Sequence, residues 1–224
     1  MSDTDSFIEE VTEEVRRDRM FAMLRRYGWV AVLAIVAVVG GAAYNEYRKA
    51  SQVAAAQALG DQIIVALAAD DPAGRAQGLS AVQSSSAGGT AMLDFLIATA
   101  LGNSDDVAGA VARLEDIATT AELPQVYRDI ATFKALTLQT DTLPAQDRRV
   151  QFEALANGAG QLRLLAQEQL ALIDIETGAP DAAITRLQSI VLDAQTDSTL
   201  RQRASQMIVA LGGTPETLPD FEQG

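Results

Sequence analysis

Neighbouring carboxylates are the residues in this chain whose type and spacing suggest chemistry. Asp70 adjoins Asp71, and Asp105 adjoins Asp106 within "GNSDD". Two carboxylates do acid–base work when burial and proximity push their pKa values apart. Nothing around either pair indicates a buried, matched site, and "GNSDD" lacks the ligand spacing of a calcium loop. Both pairs read as caps for the helices that follow them. The chain has no Cys and no His. That removes thiolate nucleophiles, Ser-His triads, imidazole proton relays and the usual zinc sites together. No GxxxxGK[ST] or GxGxxG phosphate loop is present. The sequence therefore reads as a non-enzyme, with no catalytic residue, no metal ligand, no cofactor and no small-molecule substrate.

The elements that would position any other site are helices. Of 224 residues, 48% are apolar and only 5% aromatic, with Ala and Leu abundant. These are strong helix formers, and the length allows one ordinary domain plus an appendage. The expected fold class is all-α. The net charge of −13 argues against a nucleic-acid partner, because phosphate binding needs clustered Lys and Arg.

One stretch stands apart. "RRYGWVAVLAIVAVVGGAAYNEYRK" runs from Arg25 to Lys49, and Gly28 to Ala43 carries no charge. Tyr27, Trp29 and Tyr44 lie near its ends, where amphipathic rings favour the headgroup level. The length approaches the roughly 17–25 residues of a spanning helix. Arg16, Arg17, Arg19, Arg25 and Arg26 precede it, and only Arg48 and Lys49 follow closely. This asymmetry places the N-terminus in the cytoplasm and the larger part outside. Arg25, Arg26, Tyr27, Trp29, Tyr44, Arg48 and Lys49 are the expected membrane-interface residues. Cleavage at "GAA" (Gly41 to Ala43) and a buried core helix are the alternatives to an uncleaved anchor. Ala37, Gly40 and Gly41 offer a small-residue face to another membrane helix. Ahead of the anchor, Ser6 and Glu9 match a capping box, and Ile8, Val11, Val15 and Ala22 form one apolar stripe of an amphipathic head.

Beyond the anchor, helix signals come in pairs. Breaks fall at "ADDPAG", "SSSAGG", "ELPQ", "DTLPAQ" and "GAPD", most with Pro where a new helix can start. The chain also repeats itself. "AVARLEDI" from Ala110 aligns with "AITRLQSI" from Ala183, and the same offset of 73 residues sets Arg128 against Arg201 and Ala131 against Ala204. That offset is two helix-turn-helix units of roughly 34 residues plus a short insertion.

"AQEQLALIDIETGAPDAAITRLQSIVLD" resembles a tetratricopeptide repeat. Leu170 and Ala171 match the small-residue contact of its first helix, Gly178 its turn, and Ala183 its tight inter-helix contact. The Trp, Tyr and terminal Pro of the strong pattern are missing. The full layout is an acidic-then-Arg head, an anchor with "RRYGW" and an Ala-rich repeat region. It resembles the YfgM-type proteins of bacterial inner membranes, ancillary subunits of the SecYEG translocon. The resemblance implies a single N-terminal transmembrane helix followed by a tetratricopeptide-like α-solenoid of paired helices. It implies residues 1–26 as a cytoplasmic amphipathic head, 27–44 as the membrane helix, 45–211 as a periplasmic repeat domain and 212–224 as a flexible tail. It further implies an adaptor role in protein export beside the translocon and a periplasmic chaperone. A scaffold for a division or respiratory complex is the competing role, since repeat folds host many partners.

In that register the groove-facing positions are Met92, Phe95 and Thr99, then Gln125, Arg128 and Thr132, then Leu165, Glu168 and Leu172, then Arg201 and Ser205. Ordinary packing is the alternative for each apolar one. From Ala50 onward the chain carries 22 acids against 10 bases, so basic partner segments are expected, with binding weakened by salt.

Overall fold

The computed structural model describes residues 3–216, with side chains from Arg25 onward apart from Ala31. Among these residues the chain is all-helical. The helices are α1 (Asp3–Leu67), α2 (Pro72–Ser80), α3 (Ala87–Gly102), α4 (Val107–Thr119), α5 (Gln125–Leu138), α6 (Ala145–Ala156), α7 (Gln161–Glu176), α8 (Pro180–Leu192) and α9 (Ser198–Ala210).

Helix α1 passes unbroken through the apolar stretch and through Gly60. It is already helical at Asp3, so Ser6 lies inside it rather than at its N-cap. The Ser6–Glu9 pairing and the stripe of Ile8, Val11, Val15 and Ala22 lie outside the described side chains. From Arg25 onward α1 is long and apolar enough to cross a membrane, the one such helix among the described residues. The described side chains of its apolar window are not buried. Arg25, Arg26, Tyr27, Trp29, Tyr44, Arg48 and Lys49 are all exposed on α1. The Arg26 guanidinium sits 6.0 Å from the Tyr27 ring centre.

A separate compact unit begins at Leu59, and its core is a succession of three-helix clusters. Leu59, Ile63 and Ala66 at the end of α1 meet Leu79 of α2 and Leu93 and Ile97 of α3. Ala91 and Ala98 of α3 meet Ala110, Leu114 and Ile117 of α4 and Ala131 and Ala135 of α5. Leu136 of α5 meets Phe152 and Leu155 of α6 and Leu170 and Ile173 of α7. Leu164 and Ala171 of α7 meet Ala183, Leu187 and Ile190 of α8 and Leu200, Ala204 and Ile208 of α9. Helices α3, α5 and α7 thus each carry two buried faces, one for each neighbouring cluster. The small residues allow this, because Ala lets helix axes approach closely.

The 73-residue offset is physical. It carries the first residue of α4 onto that of α8, and of α5 onto that of α9. Ala110 and Ala183, Leu114 and Leu187, and Ala131 and Ala204 are all fully buried. The turns repeat as well. Asp105 has φ 64° and Gly178, 73 positions later, has φ 77°. In both turns the next amide donates to the carbonyl five residues back, Asp106 to Leu101 (3.0 Å) and Ala179 to Asp174 (2.8 Å), the hydrogen bond of a Schellman-type helix ending.

The capping expectation needs correction at two residues. Asp106 caps α4 by accepting from the Gly109 amide at 2.9 Å, and Asp71 caps α2 by accepting from the Gly74 amide at 2.8 Å. Asp105 is the left-handed residue before the cap. Asp70 lends its backbone carbonyl to Arg75 at 3.2 Å.

Candidate functional site

The positions that the repeat register selects lie on α3, α5, α7 and α9. Which of them face solvent follows from what their neighbours on the helix do. On α3, Met92 is 55% exposed and Thr99 is exposed, whereas Phe95 is half-buried against the α3–α4–α5 cluster. On α7, Leu172 is 41% exposed and Leu165 is half-buried against the last cluster. Between them Glu168 is buried, its carboxylate gripped by Arg203 of α9 through two hydrogen bonds of 2.8 and 2.7 Å. Five sequence-selected positions on α3 and α7 therefore adjoin exposed surface, and Glu168 ties α7 to α9 beneath it.

The positions selected on α5 and α9 are placed differently. Arg128 donates to the carbonyls of Leu123 (2.6 Å) and Ala121 (3.2 Å) in the loop before α5. Arg201 braces the loop before α9, donating to Thr196 (2.8 Å) in that loop and to Val191 (3.1 Å) in the last turn of α8. The recurrence that drew attention to these arginines reflects loop bracing, since each covers carbonyls that its short loop leaves unpaired. Gln125 holds both Arg128 and Asp129. Thr132 lines a cleft of about 290 Å³ with Glu115 and Thr119 of α4 and Gln151 of α6. Ser205 is half-buried on α9.

The opposite side of α5 holds residues that the repeat register passed over. Lys134 and Thr137 line a cleft of about 210 Å³ with Thr99 and Gly102 of α3 and the adjoining Asn103. A helical wheel anchored on Ala131 and Ala135, rather than on Arg128, would have found them, because those two alanines mark the buried side.

Electrostatics set the character of the surface. The ten basic residues after Ala50 are almost all spent inside the fold. Arg113 pairs with Asp94, Arg148 with Glu176, Arg149 and Arg186 with Asp174, Arg163 with Asp193, and Arg203 with Glu168. Arg75, Arg128 and Arg201 are bound to carbonyls. Lys134 alone has no hydrogen-bond or ion-pair partner among the described residues. Asp116, Glu122, Asp141, Asp147, Glu153 and Asp181 stand exposed, so the field outside the fold is acidic.

Two carboxyls have shifted pKa values. Burial pushes Asp94 up, outweighing the Arg113 guanidinium at 3.2 Å, and the nearby Asp116 charge adds to the rise. Hydrogen bonds from Arg163 and from the Gln195 amide hold Asp193 below the usual carboxylate range. Neither belongs to a convergent set, and no three carboxylates gather as a metal site among the described residues.

No protein-family model, no curated protein and no solved structure matches this chain.

Proposed function

We propose that this is a membrane-anchored binding protein of the bacterial inner membrane, with α1 as the anchor and the helices after Leu59 as a periplasmic, tetratricopeptide-like module that captures protein segments. The observation that carries this reading is the internal spending of the bases. Nine of the ten are bound within the fold, so the acids are left to face outward and select basic or mixed polypeptide segments. Met92 and Leu172 add exposed apolar anchors, and an unbranched Met suits partners of varied shape. The resemblance in layout to YfgM-type proteins makes the Sec translocon and a periplasmic chaperone the proposed partners, with hand-over of exported proteins as the activity.

Photo-crosslinking in native membranes tests this, with a photoreactive residue at Met92 and another at Arg48. Met92 is preferred to Phe95, which leans on the core. Adducts with channel subunits or an export chaperone, lost at high salt, are the expected result. Adducts confined to division or respiratory proteins would replace this reading with a scaffold. A shortened, released protein without membrane adducts would show that the apolar stretch is a cleaved signal.

A further inference from the structure

The compact unit is not evenly stitched. Helices α3 and α4, and α7 and α8, pack along their lengths, yet α5 and α6 meet over only a short seam. By position in the repeat these three pairs are equivalent. The residues explain the exception. Where α4 and α8 place Ala110 and Ala183 against their neighbours, α6 has Arg148, and where they place Leu114 and Leu187 it has Phe152. Arg148 is buried, donating to the Leu143 carbonyl at 3.0 Å and to Glu176 of α7. A guanidinium fastened to α7 and to the loop before α6 thus stands where a methyl group sits elsewhere.

The bonds on either side of the seam are directional, and those across it are not. Ion pairs join α6 to α7, α7 to α8 and α7 to α9. On the other side Arg113 and Asp94 join α3 to α4, and Gln139 donates to Glu115 of α4 at 3.4 Å. Among the described residues no ion pair or side-chain hydrogen bond joins α5 to α6 or to α7. The joint is apolar, formed by Phe133 and Leu136 against Phe152, Leu155 and Leu170. Phe133 and Phe152 meet edge to face, their centres 5.7 Å apart. Apolar contact is non-directional, so such a joint can slide where an ion pair would hold. The 290 Å³ cleft between α4, α5 and α6 leaves room for the movement.

From this geometry we propose that the unit is a two-block device. Residues 59–142 and 143–213 move as stiff bodies about the Phe133–Phe152 joint, and Arg148 is the spacer that keeps the joint open. Met92 lies in the first block and Leu172 in the second, so the motion changes the separation of the two exposed apolar anchors. It rests on packing within one chain and holds whichever partner is found.

The chain has no Cys, so introduced thiols can be spin-labelled without background. Thr119→Cys with Gln151→Cys spans the seam. Gln151→Cys with Thr185→Cys stays within the second block and is the control. All three labelled positions, Thr119, Gln151 and Thr185, are exposed on helices. Pulsed electron paramagnetic resonance on the full chain in nanodiscs is expected to give a seam distance distribution at least twofold broader than the control. Equal widths would overturn the two-block device. In a second measurement Arg148→Ala, with helicity checked by circular dichroism, should narrow the seam distribution to the control width. Glu176 is 46% exposed and turns to water in that variant. An unchanged width would overturn the spacer role, and Arg148→Met, which keeps a long buried side chain, repeats the measurement if Arg148→Ala loses helicity: the parent's width is expected, and the control width would overturn the spacer role.

Discussion

Asp105 and Gly178 occupy the same turn in two copies of one unit, and exchanging their residue types tests that equivalence. Both have φ in the left-handed region, at 64° and 77°. A Cβ added at Gly178 would meet nothing within 4 Å. The cost of Gly178→Ala is therefore conformational alone, without a steric clash. An L-residue in that region loses about 1–2 kcal/mol, and Ala recovers about 0.5–1 kcal/mol through the smaller entropy of its unfolded chain. The net loss is about 1 kcal/mol, which lowers the midpoint of a unit this size by about 2–4 °C. Asp105→Gly runs the other way. Asp tolerates the left-handed region better than Ala does, so the expected gain is smaller, about 0.5 kcal/mol. Gly78→Ala is the contrasting control, because its new Cβ would lie 3.2–3.3 Å from Ala66 of α1, tight enough that the contact must give by a few tenths of an ångström. The assay is thermal unfolding of the full chain in detergent, followed by far-ultraviolet circular dichroism. If Gly178→Ala and Asp105→Gly shift the midpoint in the same direction, the shared left-handed turn is refuted.

Other expectations concern the charges spent inside the fold. Asp174 is buried and is held by Arg149 at 2.6 Å and Arg186 at 3.0 Å. Asp174→Asn leaves both guanidinium groups without a counter-charge, and the expected loss is about 3 kcal/mol, the low end for a broken buried pair because the arginines keep some water. Urea unfolding measures it, and a loss below about 1 kcal/mol would show that water replaces the carboxylate. Asp193 has a folded pKa below its unfolded one, so its stabilising effect is present above the ordinary carboxylate range and is lost as pH falls through the folded value. Asp193→Asn should accordingly be less stable than the parent at neutral pH, with the difference closing below about pH 4. A difference that persists in acid would mean that Arg163 gains its stability from packing instead.

Much of the fold was legible because helices announce themselves locally. Pro at helix starts, caps such as Asp71 and Asp106, and apolar spacing are properties of short segments. The repeat was legible through Ala110 and Ala183, whose size the packing demands. No such signal marks α6, which has Arg148, Phe152 and Leu155 where α4 has Ala110, Leu114 and Ile117. The candidate face was less legible. Arg128 and Arg201 recur in register, yet they recur as loop braces. An identity shared between copies marks a shared contact without saying whether that contact is inward or outward.

Sequence alone determined the helical class, the acidic balance, the absence of thiol and imidazole chemistry, and the single apolar stretch long enough to span a membrane. These depend on composition and on neighbours within a few turns of helix. Tertiary structure decided which partner each arginine takes, which side of α5 is exposed, and that α5 and α6 part company. Those depend on partners 12 to 35 residues away, such as Asp174 for Arg186 and Glu168 for Arg203. Charge is carried by a residue, but its availability is a property of the packed neighbours that neutralise it.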